Sequence, residues 1–205
     1  MRNHVLMKNT HILGENNYYR SEYPKSQILI GNTFASGLSH FSRWQTRLNG
    51  KYKQTTPFTI TKDGVIYCHY DPKHHSDFIG IEEIDRYIIP IVLENEGWLI
   101  KDSDSERYIN WVGDIYNEED GIIETRWRNH RYWSPYTNEQ IESLIKLSKY
   151  LCERFDIPLE ALAHNTKAEV QFFEGIAYRS NYSKYYTDIS PAFNTTEFKN
   201  KLELN

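Results

Sequence analysis

Residues 175–193, GIAYRSNYSKYYTDISPAF, are the stretch around which the rest of the chain is organised. They carry a single guanidinium, Arg179, and a single carboxylate, Asp188, and they close on the turn sequence SPAF. Asp188 is read first as the ion-pair partner of Arg179, with local capping of the SPAF turn as the alternative. Immediately upstream lies the best helix of the sequence, 137–155. Thr137 and Gln140 stand at capping-box spacing, and Ile141, Leu144, Ile145, Leu151 and Phe155 form an apolar stripe. Asp156-Ile157-Pro158 stops it, 159–164 adds at most a turn, and 195–204 reads as a short capped helix.

Further upstream, 27–30 (QILI) is a short apolar run that gives way to Gly31-Asn32-Thr33, so a buried strand ending in a loop is expected. Residues 36–49 place Phe41, Trp44 and Leu48 on one helical face, with Gly50 as the C-cap. Residues 58–67 (FTITKDGVIY) read as a β-hairpin turning at Lys62-Asp63-Gly64, where Asp-Gly supplies the positive φ of a tight turn. Residues 70–86 read as loop. Residues 88–93 (IIPIVL) read as a strand whose Pro90, unable to donate to a ladder, argues for an edge or a bulge. Residues 101–136 are an aromatic, charged excursion with at most short strands near 122–124, and Glu118-Glu119-Asp120 reads as a solvated turn. Residues 1–26 form a polar, aromatic N-terminal arm. No repeat or linker interrupts 27–205, which is expected to be one domain.

The 205 residues are 39% hydrophobic and 15% aromatic, with 16 Tyr and 5 Trp. Rings bury large areas, so a mean hydropathy of -0.71 is compatible with a packed core. Net charge is -4 with both signs mixed, which disfavours nucleic acid as a partner. Cys68 and Cys152 are too few for a disulfide framework and are expected as free thiols. No apolar run reaches membrane-spanning length and MRNHVLMKNTH lacks the apolar core of an export signal. A soluble protein is therefore expected, with no membrane partner. Neither a G-x-S-x-G elbow nor a phosphate-cradling glycine loop is present.

Five phrases in order make the chain resemble the zinc-dependent N-acetylmuramoyl-L-alanine amidases, the family that includes phage endolysins and peptidoglycan recognition proteins. They are QILIGNT at 27–33, FTITKDGVIY at 58–67, IPIVLENEG at 89–97, the helix region from Tyr132 to Pro158, and Asp188-x-x-Pro191-x-Phe193. The resemblance covers about 23–200. It implies an α/β fold: a single domain with a mixed central β-sheet flanked by helices. It also implies a groove for a glycan-linked peptide, and a zinc held by two His and an Asp or Cys.

Carried over position by position, the ligand set is degenerate. The first ligand position is Gly31, the second is Arg179, and only Asp188 matches. A guanidinium cannot ligate a cation and glycine has nothing to offer, so neither zinc nor any other cofactor is expected. Tyr186 stands where the family commonly has an oxyanion-stabilising Lys. Thr56, Phe78 and Val92 stand near a family Tyr, a groove His and a strand Glu. No catalytic residue is assigned. The expected former-site and groove residues are Asn32, Thr33, Asn95, Trp127, Trp133, Arg179, Ser180, Tyr186 and Asp188. Arg179 and Asp188 are expected to pair across the former metal site. Trp111, Tyr116, Trp127, Tyr132, Trp133 and Tyr136 are read first as core and second as groove lining.

The leading expectation is a catalytically inactive amidase-like module that binds a peptidoglycan fragment or a protein partner. A phage-encoded protein in the host cytoplasm or virion fits the resemblance. Two alternatives are an active amidase with a relocated metal, recruiting His164 or His40 to Asp188, and a virion or assembly component with no ligand.

Overall fold

The computed structural model describes residues 5–118 and 121–204. Its strands are β1 (Gln27–Asn32), β2 (Phe58–Ile60), β3 (Ile66–Cys68), β4 (Ile88–Leu93), β5 (Trp98–Lys101), β6 (Tyr108–Ile109), β7 (Ile123–Trp127), β8 (His130–Trp133) and β9 (Gly175–Tyr178). Its α-helices are α1 (Ser39–Thr46), α2 (Glu82–Asp85), α3 (Asn138–Phe155), α4 (Arg179–Tyr182) and α5 (Thr195–Glu203). The main sheet runs β3-β2-β4-β1-β9, parallel throughout except for the β2–β3 hairpin. This is the mixed central sheet flanked by helices.

The period-two alternation of the strands sorts the core into two faces. Ile28 and Ile30 of β1, with Ile89, Ile91 and Leu93 of β4, pack under Leu144, Leu147 and Leu151 of α3 and Phe198 and Leu202 of α5. Leu29, Val92 and Ala177 face the other way, toward Phe78, Val170 and Trp44 of α1. Gly31 follows Leu29 on that second face, where the strands end.

Several expectations need correction. Pro90 lies inside a central strand, not at an edge. Glu94 N–H donates to Ile60 O at 2.8 Å, so even-numbered amides of β4 point toward β2. Pairing with β2 begins only at Ile91, so the amide that Pro90 lacks had no ladder partner to lose. Helix α1 ends at Thr46. Leu48 and Asn49 take left-handed φ of 51° and 53°, which turns Leu48 out to solvent. The segment 70–86 contains the one-turn helix α2. Thr137 Oγ1 accepts Gln140 N–H at 3.2 Å, but the Gln140 side chain does not complete a capping box. Its Nε2 instead donates to Ile60 O and Glu94 O, tying α3 to the ends of β2 and β4.

The excursion 98–133 is the largest difference. It forms a second, four-stranded antiparallel sheet, β6-β5-β8-β7. Arg128 and Asn129, at φ 48° and 68°, make its β7–β8 turn. Trp133 and Tyr116 are buried in it, whereas Trp111 is 45% exposed, so its aromatics divide between core and surface. The solvated turn expected at Glu118-Glu119-Asp120 falls, for Glu119 and Asp120, outside the described residues.

Candidate functional site

In open α/β sheets, ligands bind in the crevice beyond the carboxyl ends of the strands. Here that crevice lies past Asn32 of β1, Leu93 of β4 and Tyr178 of β9, next to Gly31, Arg179 and Asp188. A Cβ added to Gly31 would stand 2.9 Å from Asp188 Oδ1, 2.9 Å from Phe78 Cζ and 3.7 Å from Arg179 Cδ. Three stretches far apart in sequence, at Gly31, Phe78 and 179–188, therefore converge.

Asp188 is almost fully buried, and its Oδ1 accepts the Asn32 N–H at 2.8 Å. Local capping of the SPAF turn is thus not its role; Ser190 Oγ accepts Ala192 N–H there. Arg179 Nη1 lies 3.9 Å from Asp188 Oδ1, a charge contact longer than a charge-assisted hydrogen bond. Nη2 donates to Phe78 O at 3.3 Å. The guanidinium packs against the rings of Phe78 and Tyr186, at 4.8 and 4.3 Å from their centroids. Burial pushes the Asp188 carboxyl above the usual carboxylate range, opposed first by Arg179 and then by the Asn32 amide. Oδ2 has no hydrogen-bond partner among the described residues. Ile189, β-branched and buried, follows at φ 51°, a conformation such residues rarely adopt.

Of the residues expected at the site, Asn32, Thr33, Arg179, Tyr186 and Asp188 gather around this crevice. Asn32 Oδ1 also accepts the Tyr136 hydroxyl at 2.9 Å, and Thr33 Oγ1 donates to Ala35 O at 2.8 Å. Ser180 adjoins Arg179, but its hydroxyl donates to His164 O. Asn95 is a buried structural tie, with Nδ2 on Ser134 O and Pro135 O. Trp133 is core, its Nε1 on Thr125 O. Trp127 packs on Trp133 and His164 in the second sheet. These last three are not brought to the crevice.

Sequence reasoning passed over Arg128. From the β7–β8 turn it donates to Ser180 O and Ser183 O at 2.7 and 2.8 Å, to Thr166 Oγ1 at 2.8 Å, and to Tyr186 O. It thereby clamps the loop that carries Tyr186. A positive-φ Asn129 in a short hairpin was the only local signal for that turn.

The side chains present do not fit a zinc ion. The space next to Gly31 is filled by Asp188 and Phe78, the Arg179 guanidinium lies 3.9 Å from that carboxylate, and the carboxylate has an oxygen on a backbone amide. Among the described residues no three His, Cys, Asp or Glu side chains group as a metal site. His40 Nε2 is engaged with Thr59 Oγ1 at 3.0 Å, and the His164 ring meets Trp127 edge-on.

A family model described as N-acetylmuramoyl-L-alanine amidase matches residues 21–172, stopping just short of the strand that leads into Arg179 and Asp188. Among solved structures, the chain is similar to the N-acetylmuramoyl-L-alanine amidase LysC from Clostridium intestinale URNW. Identity is 17% and the TM-score 0.51, over 98% of this chain and 96% of that one. It is also similar to a mutant endolysin from Bacillus subtilis, at 16% identity and TM-score 0.54, over 97% and 99%. The structure of PlyL gives 11% identity and TM-score 0.55, over 98% of each chain. At such identities these likenesses establish the fold. No curated protein sequence matches the chain.

Proposed function

The chain belongs to the N-acetylmuramoyl-L-alanine amidase family, and on that premise we propose that it is a non-hydrolytic member, a module that holds a peptidoglycan fragment in the family's crevice. The observation that carries this reading is the packing at Gly31: Asp188 Oδ1 and Phe78 Cζ lie where a ligand side chain from that position would begin. Amide hydrolysis by a metal needs an open coordination position that polarises the carbonyl and activates a water. Arg179 can donate to a carbonyl or carboxylate oxygen but supplies no nucleophile. Asp188 is buried, and its bonded oxygen is held by Asn32 N–H. The remaining chemistry is recognition by donors and aromatic faces. A phage source would fit the endolysin among its fold relatives.

The deciding experiment is elemental analysis of the purified protein after dialysis with and without added zinc, run beside cosedimentation with insoluble peptidoglycan. The expected result is a folded, metal-free protein that is retained on peptidoglycan. About one tightly held zinc per chain, or release of peptide from the glycan, would overturn the reading.

A further inference from the structure

Beyond Arg179 the crevice opens into a pocket of about 180 Å3. Its lining draws on several separate parts of the chain, the end of β1 and Phe78 among them. Helix α1 supplies His40, Arg43 and Trp44; the turn after it supplies Arg47; and the loop after β6 reaches across from the second sheet with Trp111. The Trp111 indole is fixed by its Nε1–H on Phe34 O at 2.9 Å while its ring stays half exposed. Among the described residues, the lining holds three guanidinium groups and no carboxylate.

Those guanidiniums are unequally committed. Arg179 faces Asp188 and donates to Phe78 O. Arg47 lies over the Tyr52 ring and reaches its hydroxyl at 3.4 Å. The Arg43 side chain makes no hydrogen bond or ion pair among the described residues, so its donors are free toward the pocket. His40 adds no compensating charge. One carboxylate behind Arg179 leaves the pocket cationic, with flat aromatic faces at its sides.

We propose that this pocket binds a carboxylate group, gripped by the Arg43 fork with Arg47 and Arg179 beside it and the Trp44 and Trp111 rings flanking it. A planar guanidinium matches a carboxylate bidentately, which makes such a site selective for acids over neutral isosteres. The inference rests on the non-hydrolytic reading and specifies its ligand. In a peptidoglycan fragment the acid comes either from an acidic residue of the peptide or from the lactyl group of a sugar that carries no peptide, since an attached peptide ties up that carboxyl as an amide.

Calorimetric titration of the full chain distinguishes these sources with four probes. They are N-acetylmuramic acid against its lactyl amide, and N-acetyl-Ala-Glu amide against N-acetyl-Ala-Gln amide, so that the members of each pair differ by one ionised carboxyl. At least one acid is expected to bind about tenfold or more tightly than its neutral counterpart, weakening as salt rises. The acid that does so identifies the source. Arg43→Gln is expected to lower that preference about tenfold or more with thermal stability unchanged, because the Arg43 side chain is half-buried and makes no hydrogen bond or ion pair among the described residues. Equal binding of acid and neutral partners, no acid binding, or full acid preference in Arg43→Gln would overturn the proposal. Retention on peptidoglycan without acid preference defeats this inference alone. Acid preference without retention on peptidoglycan defeats the functional reading and leaves the pocket chemistry standing.

Discussion

At Gly31 the requirement for glycine is one of space, since its backbone is not in the left-handed region. Its neighbours cannot easily retreat: Asp188 is held by the Asn32 amide and Phe78 is buried. Gly31→Ala is therefore expected to cost about 1–3 kcal/mol in urea denaturation. The cost should shrink in a Phe78→Leu background, since contacting sites couple. A neutral Gly31→Ala would mean the crevice is slack and could admit a larger side chain. A second residue-scale effect lies in the chain His40 Nε2, Thr59 Oγ1, His69 Nε2, linked at 3.0 and 2.9 Å. His69 Nδ1 faces His11 O at 2.6 Å and must be its donor, so His69 Nε2 accepts from Thr59 and the pair is neutral. Burial lowers His40 to about 3 and His69 to about 4. Below pH about 6.5 the unfolded histidines take up protons that the folded ones refuse, so stability falls as pH falls. The slope is about 1.4 kcal/mol per pH unit for each histidine. Asp85, pushed up to about 6 by burial, works in the opposite sense below that pH and offsets part of this loss, without reversing it. Urea midpoints from pH 7 to 5 should drop, and drop less in His40→Gln; a flat wild-type profile would contradict this.

Between elements, one guanidinium connects the second sheet to the crevice. Arg128 supplies donors to three carbonyls of the loop 180–186 and to Thr166, and burial lowers its pKa without depriving it of charge. Arg128→Ala is expected to lower global stability by about 2 kcal/mol, in the range of hydrogen bonds to charged groups. It should also speed amide exchange from 180 to 186 more than anywhere in β1 or β4. Unchanged exchange there would show that the loop holds itself. The sequence could not have shown this clamp. Strand β7 reads IETRW, with Ile123, Glu124, Thr125 and Arg126 all exposed, so no buried alternation announced it. Its partner β8 offers His130 and Arg131 before reaching buried Trp133. Strands so short and polar are specified by turn geometry and cross-strand pairing rather than by an apolar pattern. The main sheet was legible for the opposite reason. QILI and IIPIVL are buried on both faces and stand out as apolar runs, and the Asp-Gly turn marked β2 and β3. Gly31, Arg179 and Asp188 could be located through phrases beside them, whereas Arg43 and Trp111 belong to no phrase and meet only in three dimensions.

Across the whole molecule, the two sheets differ in how they are held. The main sheet is covered on both faces, by α3 and α5 on one and by Phe78, Val170 and Trp44 on the other. The second sheet leaves it at Asn95 and returns at Ser134-Pro135, and Asn95 Nδ2 closes that base with two bonds of 3.0 Å each. Inside it, Trp133 and Tyr116 are buried, while the whole outer strand β7 lies open to solvent apart from Trp127. Local opening follows from few buried apolar contacts and solvent-exposed backbone bonds. The amides of β5 to β8 are accordingly expected to exchange through a sub-global opening at lower free energy than those of β1, β4 and β9. Asn95→Ala, which strands two buried carbonyls, should cost about 1–3 kcal/mol and accelerate the second sheet first. This matters for binding because the same sheet carries Trp111 over the pocket and Arg128 onto the loop 180–186. A ligand seated in the pocket should therefore slow exchange in the second sheet, although most of that sheet never touches it. Native-state hydrogen exchange, with and without ligand, reads both effects. Indistinguishable opening free energies for the two sheets would make the molecule a single cooperative unit, with the pocket wall as rigid as its floor.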